Sequence, residues 1–166
     1  MAISLLQGRY TVDNNEDIVV FLIGMRINKW WALHKWLPVF LAMPGMITEL
    51  YTNKEKLGFK SQELFFGLKT TVMIQYWNSA EELLAYARHD KHMAAWKAFN
   101  QKVGNNRAVG IYHETYQVKK GEYETIYVNM PKYGLGKALS PIPVTKQRQS
   151  ASERLTTVSS SHKKPL

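Results

Sequence analysis

The sequence predicts a single α+β domain with the element order β-α-β-β-α-β, followed by a basic tail. Three observations carry this. A nearly continuous β-branched and apolar run spans Ile18 to Asn28, the pattern of a strand covered on both faces. Two stretches with partial alternation, residues 58–67 and 70–77, flank Gly67-Leu68-Lys69 and read as a hairpin. Apolar residues at helical spacing follow the first strand and again follow the hairpin.

The first strand ends in polar residues, Arg26 and Asn28, which share one face by the period of two. Residues 30–52 read as helical, with Trp30, Leu33, Leu37, Phe40 and Leu41 at helical spacing. Pro38 lacks an N–H and crowds the turn before it, so a kink or restart is expected there. Pro44-Gly45 marks a second break. After the hairpin, Asn78 or Ser79 caps a helix whose first turn is acidic at Glu81 and Glu82. That helix passes Leu83, Leu84 and Tyr86, meets the polar patch from Arg88 to His92, and continues through Met93, Trp96 and Phe99. It is expected to end at Gly104-Asn105-Asn106. Ala108 to Val118 forms the last core strand, with Val109, Ile111, His113 and Thr115 on one face, and residues 121–131 add an extended segment. Two helices on one face leave the other face of the sheet bare. That face is expected to carry Phe21, Ile23 and Ile74 and to be buried in a homodimer.

Apolar residues make up 45% of the 166 residues, enough for a core without covalent staples. The absence of cysteine excludes disulfides, thiolate nucleophiles and cysteine-based metal sites. It also fits a cytoplasmic location. No basic leader or long apolar run is present, so neither a signal peptide nor a membrane partner is expected. The net charge of +9 is unevenly placed. Residues 137–166 hold six Lys/Arg against one acid, while residues 1–136 hold 16 against 12. The domain, 1–136, is therefore only mildly basic, and no nucleic-acid partner is expected. The tail from 137 onward has few large apolar residues and is expected to be disordered.

Several separated blocks, in order, carry a family resemblance. They include Met25-Arg26-Ile27-Asn28-Lys29-Trp30-Trp31, Tyr86-Ala87-Arg88-His89-Asp90-Lys91-His92, Gly110-Ile111-Tyr112-His113-Glu114-Thr115-Tyr116 and residues 123–131. Over about residues 8–138 the chain resembles the fumagillin-cluster monooxygenase-like family. That family is similar in turn to the antibiotic-biosynthesis monooxygenases of the dimeric α+β barrel superfamily. The resemblance implies a ferredoxin-like dimeric α+β barrel and a monooxygenase (oxidoreductase) character. It leaves open whether the cofactor is haem or none. Asn28 and Trp77 look similar to an Asn on the first strand and a Trp near the second helix that help form the site in related enzymes.

No dinucleotide fingerprint, phosphate loop or nucleophile elbow is present. Electrons for an oxygenation would then come from an electron-rich substrate or a bound haem. His89 and His92 lie three apart and can share a helical face, as base or hydrogen-bond partner. With Asn28 and Arg26 they form the catalytic candidates. Trp30, Trp77, Trp96, Tyr86, Phe40 and His113 are the candidate walls of an apolar pocket. No metal set is expected. A small apolar substrate, a haem-binding protein of degrading or dehydratase type, and a non-catalytic ligand-binding dimer are the three readings.

Overall fold

The computed structural model describes residues 4–89, 92–94, 97, 101 and 107–156. Its centre is a four-stranded antiparallel sheet built from β2 (Ile18–Ile27), β3 (Phe59–Phe66), β4 (Thr70–Trp77) and β5 (Val109–Val118), in the order β3-β4-β2-β5. The helix α1 (Leu33–Thr52), a short α2 (Lys54–Leu57) and α3 (Ala80–Ala87) connect these strands. With helices after β2 and β4, this is the ferredoxin-like β-α-β-β-α-β arrangement expected from the sequence. β1 (Leu6–Val12), β6 (Tyr127–Met130) and β7 (Pro141–Pro143) make a second sheet, ordered β6-β1-β7. Two further short helices are α4 (Leu135–Ala138) and α5 (Ala151–Thr156).

α1 runs unbroken through Pro38 and Pro44, where a kink and a break were expected. Both prolines lie on the exposed side of the helix, so the carbonyls they leave without an intrahelical donor face solvent. Ser79 is the cap of α3: its Oγ accepts from the Glu82 N–H at 3.2 Å, and the Glu82 carboxylate reaches back to it. Gly58 ends α2 with φ +69°, and a Cβ there would collide with the Glu82 carboxylate. Glycine is thus required both by the backbone and by this packing. α3 ends at Ala87, and helical backbone resumes at His92. The expected stop at residues 104–106 lies outside the described residues.

Register fixes the two faces of the sheet. Phe21 pairs with Gln75 and Ile23 with Met73, while Ile74 pairs with Leu22. Phe21 and Ile23 therefore face the helices and only Ile74 faces away, which corrects the expected common bare face. Nor is the far face wholly bare. Val12, Ile18, Tyr123, Leu135 and Leu139 form a second core there, with Val20, Tyr76 and Val118 packed against it.

The chain does not lose order at residue 137, as expected from its composition. Residues 137–156 carry α5 and β7 and wrap onto the second sheet. The physical reasons are both apolar and polar: Leu139 is buried in the second core, β7 pairs with β1, and a buried arginine ties down the end. Arg154 is buried, its Nε donates to the Glu124 carboxylate at 2.6 Å, and its Nη1 donates to the carbonyls of Arg148 and Gln149. Asn14 in turn donates to the Arg154 carbonyl at 2.9 Å. Composition alone could not announce a segment held by a buried leucine, a strand pairing and a buried arginine. Replacing Arg154 by alanine should cost about 2 kcal/mol locally, since each hydrogen bond to a charged group contributes ~1.5–3 kcal/mol. Limited proteolysis should then cut within residues 139–156 while the rest survives; unchanged protection would contradict this anchoring.

Candidate functional site

A cavity of about 130 Å³ lies between the helix-side face of the sheet and helices α1 and α3. Phe21, Ile23 and Met25 of β2 and Met73 and Gln75 of β4 form its floor. Val39, Met43, Met46 and Ile47 of α1 form one wall. Leu83, Tyr86, Ala87 and His92 form the other. The period of two puts alternate strand residues inward, and the 3.6-residue turn puts Val39, Met43, Met46 and Leu50 on one helix face.

The lining is almost wholly apolar, and its polar groups differ in their satisfaction. Gln75 is engaged: its Oε1 accepts from Trp77 Nε1 at 3.1 Å, and its Nε2 donates to the Met73 sulfur at 3.1 Å. The Tyr86 hydroxyl and His92 Nδ1 are buried without a hydrogen-bond partner. Their rings lie 5.4 Å apart. Orphaned buried polar atoms are rare in folded proteins, and two beside one cavity mark where a ligand atom would be bound. Burial, reinforced by the Glu49 charge, pushes the Tyr86 hydroxyl up to about 12. Burial also lowers His92 below the usual histidine value, partly opposed by Glu49. Both groups are therefore neutral near pH 7: Tyr86 can donate, and His92 can accept through one ring nitrogen.

Of the residues singled out from sequence, the structure brings only Tyr86 and His92 to the cavity. His89 is exposed on the turn after α3. Arg26 and Asn28 are exposed at the far end of β2, and neither lines the cavity. Trp77 is fully buried one layer behind it, packed on Tyr86 at 5.5 Å. Phe40 packs with Met25, Ile27 and Val109 beyond the cavity's edge, and Trp30 is exposed against Trp36. His113 stands exposed on the edge strand beside Phe21. Trp96 lies outside the described residues. The methionines were missed. Met25, Met43, Met46 and Met73 are four of the chain's seven, and all four line the cavity. Their flexible thioethers make an adaptable wall. The pair Met43 and Met46 on one helix face was the available signal.

The described walls do not fit haem. The cavity is near the ~150 Å³ that holds a small aromatic molecule, and below the few hundred Å³ of larger ligand sites. No three His, Asp or Glu side chains converge on a metal position among the described residues.

This is a ferredoxin-like α+β protein with a partly open apolar cavity edged by one tyrosine and one histidine. The chain belongs to the Monooxygenase af470-like family, whose model matches residues 18–135. It is 29% identical over 133 residues to Monooxygenase af470 of Aspergillus fumigatus, a match covering 73% of this chain and 46% of that protein. The chain thus spans about half the length of that curated relative. Among solved structures it is similar to the aldoxime dehydratase OxdRE in complex with butyraldoxime. There the identity is 17% and the TM-score 0.65, over 76% of this chain and 38% of that one. A second aldoxime dehydratase structure matches at 18% identity and a TM-score of 0.60, over 78% of this chain and 42% of that one. These likenesses bear out the fold.

The His92 shift has a measurable consequence. Its folded pKa is depressed, so the unfolded chain binds a proton near pH 6.5 that the folded chain refuses. Stability should therefore fall as pH drops below about 6.5, levelling off below the depressed folded value. His92→Phe should remove this component from the denaturant-midpoint profile. An unaltered profile in that variant would contradict the burial of His92.

Proposed function

We propose that this chain is a monooxygenase-type enzyme acting on a small, apolar, electron-rich organic substrate held in the cavity. The carrying observation is the unpartnered pair, Tyr86 hydroxyl and His92 Nδ1, at the edge of an otherwise apolar, Met-rich cavity. Family membership supports the oxygenase character.

In this reading a phenol-like substrate lies against Phe21, Ile23 and Met73 with its oxygen towards Tyr86 and His92. Neutral His92 takes the phenolic proton as Tyr86 donates to the oxygen. The desolvated site favours the transfer only with both contacts made. Dioxygen then takes four electrons from the substrate, two as an oxygen atom enters the ring C–H bond and two as the ring passes to the quinone. One oxygen atom becomes a ring carbonyl. The other leaves as water with the hydroxyl hydrogen and the ring hydrogen it displaces. With 1-naphthol, one naphthol and one dioxygen give one 1,4-naphthoquinone and one water, so no external reductant is required.

The same reading includes a homodimer. Phe65, Tyr112 and Tyr116 lie on the sheet face away from the helices and are exposed. That strip, outside the second core, is the surface a partner copy would cover.

The test is oxygen uptake with 1-naphthol, with quinone followed by absorbance. The wild type should consume one dioxygen per quinone. His92→Ala and Tyr86→Phe should each reduce the rate by about 10²-fold or more, the usual share of a positioned acid or base. Binding of 1-naphthol without turnover would favour a ligand-binding protein and overturn the enzyme assignment.

A further inference from the structure

One end of the molecule gathers apolar and basic side chains with no acid among them. The Ile27 N–H donates to the Lys69 carbonyl at 2.7 Å, and the Asn28 N–H donates to the Ala108 carbonyl at 2.8 Å. These bonds bring together the end of β2, the β3–β4 hairpin tip and the start of β5. Phe66 of the hairpin touches Phe40 of α1, with ring centroids 6.0 Å apart. The first half of α1 therefore joins the same surface.

Leu33, Leu37 and Leu41 recur every four residues along the outer face of α1, opposite the face that lines the cavity. All three are exposed, Leu41 by 64%. Trp31 just before the helix is 79% exposed and Leu68 at the hairpin tip 92%. Exposed apolar residues joined in one patch mark an interaction surface rather than ordinary surface scatter. Arg26, Lys29, Lys69 and Arg107 are exposed around them. Among the described residues none of these four stands in an ion pair. Residues 18–48, 64–80 and 107–113 contain no Asp or Glu.

We infer that this end of the molecule docks on the surface of an anionic lipid bilayer. Tryptophan and leucine on one face, with lysine and arginine at its margin, suit the boundary between headgroups and acyl chains. The four cations supply the complement to anionic headgroups. A second copy of the chain fits less well, because a two-fold pairing of this patch would set cation against cation. No helix among the described residues is long and apolar enough to cross a membrane. The sequence-based expectation of no membrane partner rested on a search for spanning segments, which surface docking does not need.

The test is flotation of the full chain with phosphatidylcholine vesicles, with and without phosphatidylserine. Basic residues outside the patch, Lys163 and Lys164 among them, could hold anionic vesicles by charge alone. Two patch variants therefore decide: Leu41→Ser with Leu68→Ser, and Lys29→Glu with Lys69→Glu. Both alter exposed side chains, and unchanged thermal melts verify the fold. The wild type should float with phosphatidylserine-containing vesicles, and each variant should bind about tenfold less or weaker. No flotation of the wild type overturns the inference. So does wild-type flotation that both variants retain, or loss of self-association without loss of vesicle binding.

Discussion

The burial of Trp77 is the constraint on which the rest of the site depends. It has no exposed surface and sits between Phe59 of β3 and Tyr86 of α3, with ring centroids at 5.4 and 5.5 Å. Truncating a core aromatic of this kind costs about 3–5 kcal/mol. Its indole N–H must also be satisfied, and Gln75 does so from the same face of β4. The polar partner of the core tryptophan thus becomes part of the cavity floor. Tyr86 is held against the indole, so its hydroxyl is positioned by packing rather than by a hydrogen bond.

α1 links the two surfaces to which function is assigned. Its inner face gives Val39, Met43 and Met46 to the cavity. Its outer face gives Leu33, Leu37 and Leu41 to the exposed patch. Two prolines on the outer side leave the helix intact and the inner face regular, which a proline facing the sheet would not have done. Ser79, Glu82 and Gly58 lock the start of α3 to the end of α2, and so fix where Tyr86 falls.

The sheet and its helix layer were legible because they follow from period and punctuation. The β-branched run at residues 18–27, the hairpin around Gly67 and the Ser79 cap each depend on local residues alone. The face assignment of Phe21, Ile23 and Ile74 was not legible, since a strand apolar on both sides does not declare which side meets the helices. The second sheet was hidden for a related reason. β1 and β7 are short, their partners lie over a hundred residues away, and Arg154 works through contacts no spacing reveals. Of the cavity lining, Tyr86 and His92 were singled out because aromatic and titratable residues attract notice. The four methionines of the wall do not. His89, at helical spacing from His92, failed because the helix ends at Ala87 and turns it to solvent.

Any function of this chain at Tyr86 and His92 requires the cavity to be the ligand site, with His92 as its polar contact. Nitrogen-15 NMR of the histidine imidazoles, followed while 1-naphthol is added, tests this directly. The Nδ1 resonance of His92 should move with saturable dependence on ligand, while His34, His89 and His113 stay in place. Movement at His113 or His89 with His92 unchanged would place the ligand elsewhere and contradict the account.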